Sequence, residues 1–220
     1  MPVYDSIAVE GDIAYLPRKR PFLHDIVAEF LECPRVRFLI ALALLCASPV
    51  SALEQTSRPV GVASNEEMTA IYDADQAART GPKIDWSVVR EGDRGRRART
   101  QALLDAGQLN SADDFYRAAF VFQHGDLPED YLKAHALAVV AAAKGKSEAA
   151  WIAAATLDRY LQHIGQPQIY GTQYVRHDSK DWTQEPYRRD LLSDALRVAT
   201  GVPPIAKQEE RLKDMARKFP

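Results

Sequence analysis

The segment Asp126–Gly165, DLPEDYLKAHALAVVAAAKGKSEAAWIAAATLDRYLQHIG, decides the fold class of this chain. It contains two alanine-rich stretches on either side of Gly145, and small side chains let two helix axes approach closely. Pro128 stands in the first turn of the first stretch, where a missing N–H does no harm. Gly145 and Gly165 stand where helices commonly end in a left-handed residue. The segment therefore predicts two helices packed as an antiparallel hairpin.

The rest of the chain after Ser64 also shows helical spacing with helix start and stop signals. Ser64 with Glu67 and Ser111 with Asp114 have the spacing of capping boxes. Further helices are predicted at residues 87–106, 111–125, 189–200 and 207–218. Residues 166–187 lack a helical period, and 169–175 is a short strand or an ordered loop. We predict an all-α fold: a single helical domain of five to seven helices, with helical-repeat-like hairpin packing and one ordered polar loop.

An export signal is indicated by Val36–Ala52, VRFLIALALLCASPVSA. Two arginines flank the start of an apolar core of about ten residues, which is too short to cross a bilayer, and Ala52 completes a small-residue cleavage site before Leu53. We expect a periplasmic or secreted protein without stable membrane insertion of the mature chain. Residues 1–35 are a misassigned start or, alternatively, a cytosolic extension on a signal anchor.

This interpretation divides the chain into five segments. They are a misassigned or dispensable extension (1–35), a signal peptide (36–52), a flexible linker (53–63), the helical domain (64–205) and a charged C-terminal helix or tail (206–220). Cys33 and Cys46 precede the cleavage site, so the mature chain has neither a disulfide nor a thiol nucleophile. It keeps 23 basic and 24 acidic side chains. This balance gives no electrostatic case for nucleic-acid binding.

Several short sequence motifs after residue 68 resemble those of a bacterial family known only as a domain of unknown function. The motifs are Asp73-Ala74-Asp75-Gln76, Val121-Phe122-Gln123-His124-Gly125, Asp158-Arg159-Tyr160 and Gly171-Thr172-Gln173-Tyr174. The match runs over about residues 68–208. The resemblance implies a helical domain and carries no catalytic assignment. The spacing also has a distant likeness to tetratricopeptide-type repeats, without a clean period.

Asp75 falls on the apolar stripe of the first helix, because it follows Ile71 by four residues and Met68 by seven. A buried carboxylate needs a partner, and the arginine-rich stretch 94–99 of the next helix offers one. We therefore predict a structural Asp–Arg bridge between the two helices. The alternative is a carboxylate that lines a polar pocket.

Two histidines and two acids are the catalytic candidates: His124, His135, Asp75 and Asp158. His124 ends the third helix, where the helix dipole favours imidazolium. His135 is four residues from both Tyr131 and Val139, which places it on the predicted buried face. A histidine and a carboxylate within hydrogen-bond reach could serve as an acid–base pair. The alternative for each histidine is a satisfied structural residue.

A ligand-binding surface is predicted around the polar loop, from Gln76, His124, Gln168, Gln173 and Tyr174. Amide and phenol groups suit hydrogen bonding to a sugar or a peptide backbone, although they also suit satisfying the loop's own backbone. If the loop folds back over the end of the third helix, His124, Gln173 and Tyr174 share one site. Arg159 and His163 fall in the last turns of the fifth helix, where cations are favourable.

These observations favour an exported helical binding module for an unknown protein, peptide or small polar ligand. The alternatives are an exported hydrolase or transferase that uses a His/Asp pair, and a structural envelope protein without a site. The sequence contains no H-E-x-x-H, G-x-S-x-G, G-x-G-x-x-G or phosphate-binding loop. We therefore expect neither a metal nor a cofactor.

Overall fold

The computed structural model describes residues 3–9, 12–18, 62–80, 83–176 and 181–219. Strands β1 (Val3–Val9) and β2 (Asp12–Arg18) form a two-stranded sheet near the N-terminus. The predicted signal peptide Val36–Ala52 and nearly all of the predicted linker lie outside the described residues. From residue 62 onward, the described part of the chain is helical and contains isolated bridges but no strand.

Seven helices make up this part of the chain, which confirms the all-α prediction. They are α1 (Glu66–Ala77), α2 (Trp86–Asp105), α3 (Ala112–Phe122), α4 (Pro128–Ala143), α5 (Ala149–His163), α6 (Asp194–Ala199) and α7 (Ile205–Lys218). Among the residues with described structure, none of the helices combines the length and the apolar character that crossing a bilayer requires.

The alanine-rich hairpin forms as predicted. Alanines on both helices are completely or almost completely buried, including Ala138 of α4 and Ala154 and Ala155 of α5. The ring of Tyr131, near the start of α4, contacts His163 at the end of α5, so the two helices run antiparallel. Between them, Gly145 has a φ of 96°, a conformation that favours glycine. Helix α3 packs against α1, α2 and α4, which brings its C-terminal end inside the bundle.

Two predicted helix starts need correction. Helix α1 is capped by Asn65, whose side chain accepts a bond from the Met68 amide at 2.9 Å. Ser64 instead lies 3.2 Å from Ser111, oxygen to oxygen. At α4, the spacing of Asp126 and Glu129 predicts the cap, but Asp130 instead accepts the amides of Asp126 and Leu127. Several side-chain oxygens lie near the N-terminus of each helix, and contacts with other segments determine which of them caps it.

Helix α6 is much shorter than the predicted 189–200. The guanidinium of Arg197 is fully buried and donates to the carbonyls of Arg189 and Leu192. These carbonyls therefore have a partner without continuing a helix, and α6 starts only after Ser193, which caps it. One buried side chain thus replaces the hydrogen bonds of a helical turn.

The described residues 166–176 and 181–187 form an ordered loop rather than a regular strand. Single bridges join Gln168 to Tyr187 and Val175 to Thr183. Helix α7 packs on this loop, where its Met215 joins a small core. The other members of this core are Tyr174 and Trp182, with Leu212 packed against them.

Candidate ligand-binding site

Asp75 is fully buried in an ion network that joins α1 to α2 and α3. Its Oδ1 accepts a hydrogen bond from Arg79 at 3.1 Å and lies 3.1 Å from Nδ1 of His124. The same oxygen lies 3.4 Å from Nε of Arg96, while Oδ2 accepts from Gln76 at 2.8 Å. The predicted bridge to an arginine of the second helix is therefore confirmed with Arg96. Arg79, two residues after the end of α1, adds a second partner.

Asp93 completes the network from α2. Both of its carboxylate oxygens accept from Nη2 of Arg79 at 2.7 Å, and Oδ1 also accepts from Arg96 at 2.6 Å. Two carboxylates thus face two guanidinium groups, and their charges cancel. Such mutual compensation is what a buried ion cluster needs in order to persist away from water.

The charge states within the network follow from burial and from the neighbouring charges. Burial raises the pKa of Asp75, but the hydrogen bond from His124 and the positive charges of Arg79 and Arg96 outweigh it, so the pKa lies below its usual value. Burial lowers the pKa of His124, and the nearby Asp75 only partly opposes this effect. At neutral pH, an ionised Asp75 therefore faces a neutral His124, which donates its Nδ1–H.

Asp75, Asp93 and His124 could in principle hold a metal ion, since one ligand atom of each lies within 4.8 Å of the others. However, Arg79 and Arg96 already occupy both carboxylates. A divalent cation here would stand beside two guanidinium charges, which repel it. We therefore assign these oxygens to the ion pairs.

Asp158 serves the loop. It is fully buried, and its carboxylate accepts four hydrogen bonds. The donors are the amides of Ile169 (2.8 Å), Tyr170 (3.0 Å) and Thr172 (2.9 Å) and the Thr172 hydroxyl (2.7 Å). Burial raises the pKa of Asp158, although the backbone bonds partly oppose this shift. The residue fastens the loop onto α5.

The predicted loop amides are also turned inward. Gln168 donates to the carbonyl of Gln173 and accepts from its amide, at 2.9 and 3.0 Å. Gln184 donates to the carbonyl of Gly171 and to the side chain of Gln208 on α7. All four glutamines are buried. Gly171 has a φ of 81°, and a Cβ there would collide with Gln208. These groups satisfy the loop's own backbone.

The remaining candidates have different partners. Gln173 donates to the carbonyl of Ala155, whereas His124 contacts α1. Tyr174 lies in the small apolar core with Trp182. The shared site of His124, Gln173 and Tyr174 stays a prediction.

His135 is only half-buried and lies, through Nδ1, 2.9 Å from the carbonyl of Ala153. Its neighbour Val139 is 48% exposed. The predicted buried face is therefore wrong for Val139, whereas His135 is partly buried against α5. The fully or almost fully buried positions of α4 include Ala134, Leu137 and Ala138.

A different group of polar residues lacks partners. Arg159 is only 5% exposed, and its Nε and Nη2 are inaccessible to water and have no hydrogen-bond partner. Gln123 caps α3 and is fully buried, and neither its amide nitrogen nor its amide oxygen has a partner. Buried polar groups in proteins are hydrogen-bonded in the great majority of cases. Arg96, Thr100 and Arg117 each bury one polar side-chain atom without a hydrogen-bond partner, whereas Arg159 and Gln123 each bury two. We therefore take the part of the bundle that contains Arg159 and Gln123 as the candidate site.

Tyr131 lies close to Arg159, whose charge affects it, and contacts the turn that follows Gln123. Its hydroxyl donates to the carbonyl of Gly125, two residues after Gln123, at 2.7 Å. Its ring lies 4.5 Å from the ring of His163, centroid to centroid. His163 follows Arg159 by one helical turn and therefore shares its face of α5. We refer to Gln123, Tyr131, Arg159 and His163 as the Arg159 cluster.

His163 is exposed, unlike the other members of the cluster. Burial of part of its ring lowers its pKa, and the charge of Arg159 lowers it further. His163 is therefore neutral at pH 7. The guanidinium of Arg159 is then the one formal charge among the four side chains.

From sequence, Arg159 is predicted only as a cation near the C-terminal end of a helix, where positive charge is favourable, and not as a site residue. A signal was nevertheless present, because Arg159 lies four residues after Ala155 and seven after Ile152, both of which are fully buried. A charged residue on the apolar stripe of a helix is expected to be buried and to need a partner, as Asp75 does.

No protein-family model matches the chain, and no curated protein or solved structure shows significant similarity to it. The resemblance of the four short motifs to a domain-of-unknown-function family therefore stays a prediction.

Proposed function

We propose that the helical domain is an exported ligand-binding module whose site is the Arg159 cluster. The observation that carries the proposal is the pair of buried polar side chains without partners, Arg159 and Gln123. Removing one partner from a buried ion pair costs about 3–5 kcal/mol, because a charge is left uncompensated. A ligand that supplies the missing partners would recover much of this energy on binding.

The loop supports this assignment by exclusion. Its glutamines are already bonded within the protein, so they have little left to offer a ligand. Arg159 and Gln123, in contrast, offer donors and an acceptor. The ligand is therefore small and polar, or is the polar end of a larger molecule.

A thermal-shift experiment on the full chain tests this function. We expect Arg159→Met to raise the melting temperature of the unliganded protein, since replacing an unsatisfied buried charge by an apolar side chain of similar length stabilises by about 1–4 kcal/mol. The same substitution should abolish the shift caused by any ligand found in a screen of polar small molecules. A lower melting temperature, or an unchanged ligand shift, would contradict the proposal.

Arg197 provides a matched control. It is also completely buried, but it donates to Tyr187 at 3.0 Å and to two backbone carbonyls. Arg197→Met should therefore lower the melting temperature. Melting-temperature changes of opposite sign in the two variants would distinguish an arginine that binds a ligand from an arginine that stabilises the fold.

Export rests on the signal Val36–Ala52 and predicts that the mature protein begins at Leu53. The intact mass of the protein recovered from the periplasm or the medium measures this directly. A mass that includes residues 1–34 would contradict it.

A hydrolase or transferase is the second candidate, favoured by the 3.1 Å contact between His124 and Asp75. Against it, the side chain of His124 is only 3% exposed, and both oxygens of Asp75 are engaged. Turnover of ester, peptide or glycoside substrates that is lost in His124→Gln would establish this alternative. The third candidate, a structural envelope protein without a site, would be favoured if no polar ligand shifted the melting temperature and Arg159→Met left it unchanged.

A further inference from the structure

We infer that the ligand of the Arg159 cluster carries a carboxylate, which accepts two parallel hydrogen bonds from the Nε–H and Nη2–H of Arg159. This inference rests on the proposed function and specifies the chemistry of its ligand. It follows from which atoms lack partners, from the charge of the site and from the side chains that surround it.

The two unpartnered nitrogens of Arg159 form one edge of the guanidinium. A planar guanidinium directs the Nε–H and one N–H of Nη2 the same way, at a spacing that matches the two oxygens of a carboxylate. A single acceptor, such as a hydroxyl or a carbonyl, would leave one of these donors unsatisfied. The unpaired edge therefore specifies a forked acceptor rather than a neutral polar group.

Charge favours a monoanion among the forked acceptors. Arg159 contributes one positive charge, while the neighbouring His163 is neutral at pH 7 because its pKa is lowered. Burial raises the pKa of Tyr131, and the charges of Asp126 and Asp130 raise it further, while Arg159 and Arg97 oppose this shift. Arg97 pairs with both of these carboxylates, which leaves Arg159 as the positive charge without a counter-ion among these described residues. A carboxylate would neutralise Arg159, whereas a phosphate dianion would leave a net negative charge in this enclosed site.

Gln123 adds a neutral donor and acceptor at the same end of the bundle. An amide is the complement of such a pair, and an amide next to a carboxylate is the chemistry of a peptide C-terminus or of an acylated amino acid. Both donors of Arg159 are shielded from water, so entry requires a neighbour to move. The exposed ring of His163 is the member of the cluster that can turn toward solvent.

Calorimetric titration of the full chain tests the inference with four probes. These are sodium acetate, N-acetyl-alanyl-alanine, the C-terminal amide of that dipeptide, and inorganic phosphate. We expect saturable binding of acetate, of the dipeptide acid or of both, and at least about tenfold weaker binding of the amide, because the amide lacks the second acceptor oxygen. Preference for the dipeptide acid identifies a peptide terminus, and equal or better binding of acetate identifies a free small acid.

The substitution Arg159→Lys should weaken carboxylate binding by about tenfold or more while preserving the charge, because lysine lacks the fork. Arg188→Lys, at an exposed arginine, should leave it unchanged. Melting curves confirm that both variants are folded. Equal binding of the acid and its amide, binding of phosphate in place of carboxylates, or no binding of either carboxylate probe overturns the inference. A ligand from the earlier screen that still requires Arg159 would leave the binding function standing.

Discussion

Replacement of Asp158 by asparagine should loosen the loop that covers α5. Each carboxylate oxygen accepts two bonds: Oδ1 from the amides of Ile169 and Tyr170, and Oδ2 from the amide and hydroxyl of Thr172. Asparagine retains one oxygen and places an NH2 group where the other stood. The Thr172 hydroxyl can reverse its role and accept from this group, but the Thr172 amide cannot.

The expected cost follows from that one orphaned donor. A buried N–H without an acceptor costs about 1–3 kcal/mol, and the two retained bonds lose the strengthening that an ionised acceptor provides. An opposing contribution comes from desolvation, which raises the pKa of Asp158 and shows that burying the charge is itself unfavourable. We therefore expect Asp158→Asn to lower the free energy of unfolding by about 2–3 kcal/mol.

Urea unfolding at pH 7, followed by tryptophan fluorescence, measures this change, because Trp182 lies in the small core beneath the loop. Asp190→Asn is the matched control at an exposed aspartate and should change stability by less than about 0.5 kcal/mol. A loss below about 1 kcal/mol for Asp158→Asn would refute the reasoning. It would mean that the loop amides find water or other acceptors as readily as they find the carboxylate.

Three further predictions concern the helical bundle. Asp75→Ala should destabilise the fold by about 3–5 kcal/mol in the same urea assay, because it removes one of two acids that balance two arginines; an unchanged midpoint would contradict this. Ala154→Leu should cost about 1–3 kcal/mol by overpacking the α4–α5 contact, and a neutral result would mean that this contact has spare room. The pKa of His124 is lowered from its ordinary value of 6.5. The contribution of His124 to the free energy of unfolding is therefore fully present above pH 6.5 and is lost progressively as the pH falls below it. The unfolded chain takes up a proton there that the buried ring resists, with a slope of at most about 1.4 kcal/mol per pH unit. His124→Gln should reduce this slope, and equal slopes would assign it to other groups.

The parts of the fold that depend on neighbours in sequence were predictable. The Ser111–Asp114 capping box forms as expected, and the alanine-rich segments flanking Gly145 form the expected hairpin. These features rest on helical periodicity, on the capping reach of three residues and on the backbone freedom of glycine. They are the same in any fold that contains these helices.

The predictions failed where a side-chain hydrogen bond competed with the expected helix signal. Asn65, rather than Ser64, caps α1 while Ser64 contacts Ser111, which is 47 positions away. The predicted helix at 189–200 is reduced because Arg197 takes two carbonyls that a longer helix would have used. The first competing bond spans 47 positions, while those of Arg197 span five and eight, beyond the four-residue reach of helical hydrogen bonds.

The candidate site shows the same division. Sequence alone determined that Asp75 lies on an apolar stripe and needs an arginine, because burial of a charge follows from periodicity and electrostatics. Only the tertiary structure decided that His124, 49 positions away, would face it. It also decided that the loop amides would be consumed within the fold while Arg159 and Gln123 would be left without partners. Whether a polar atom is satisfied depends on which segments meet around it, and helix packing settles that over distances to which local rules do not extend.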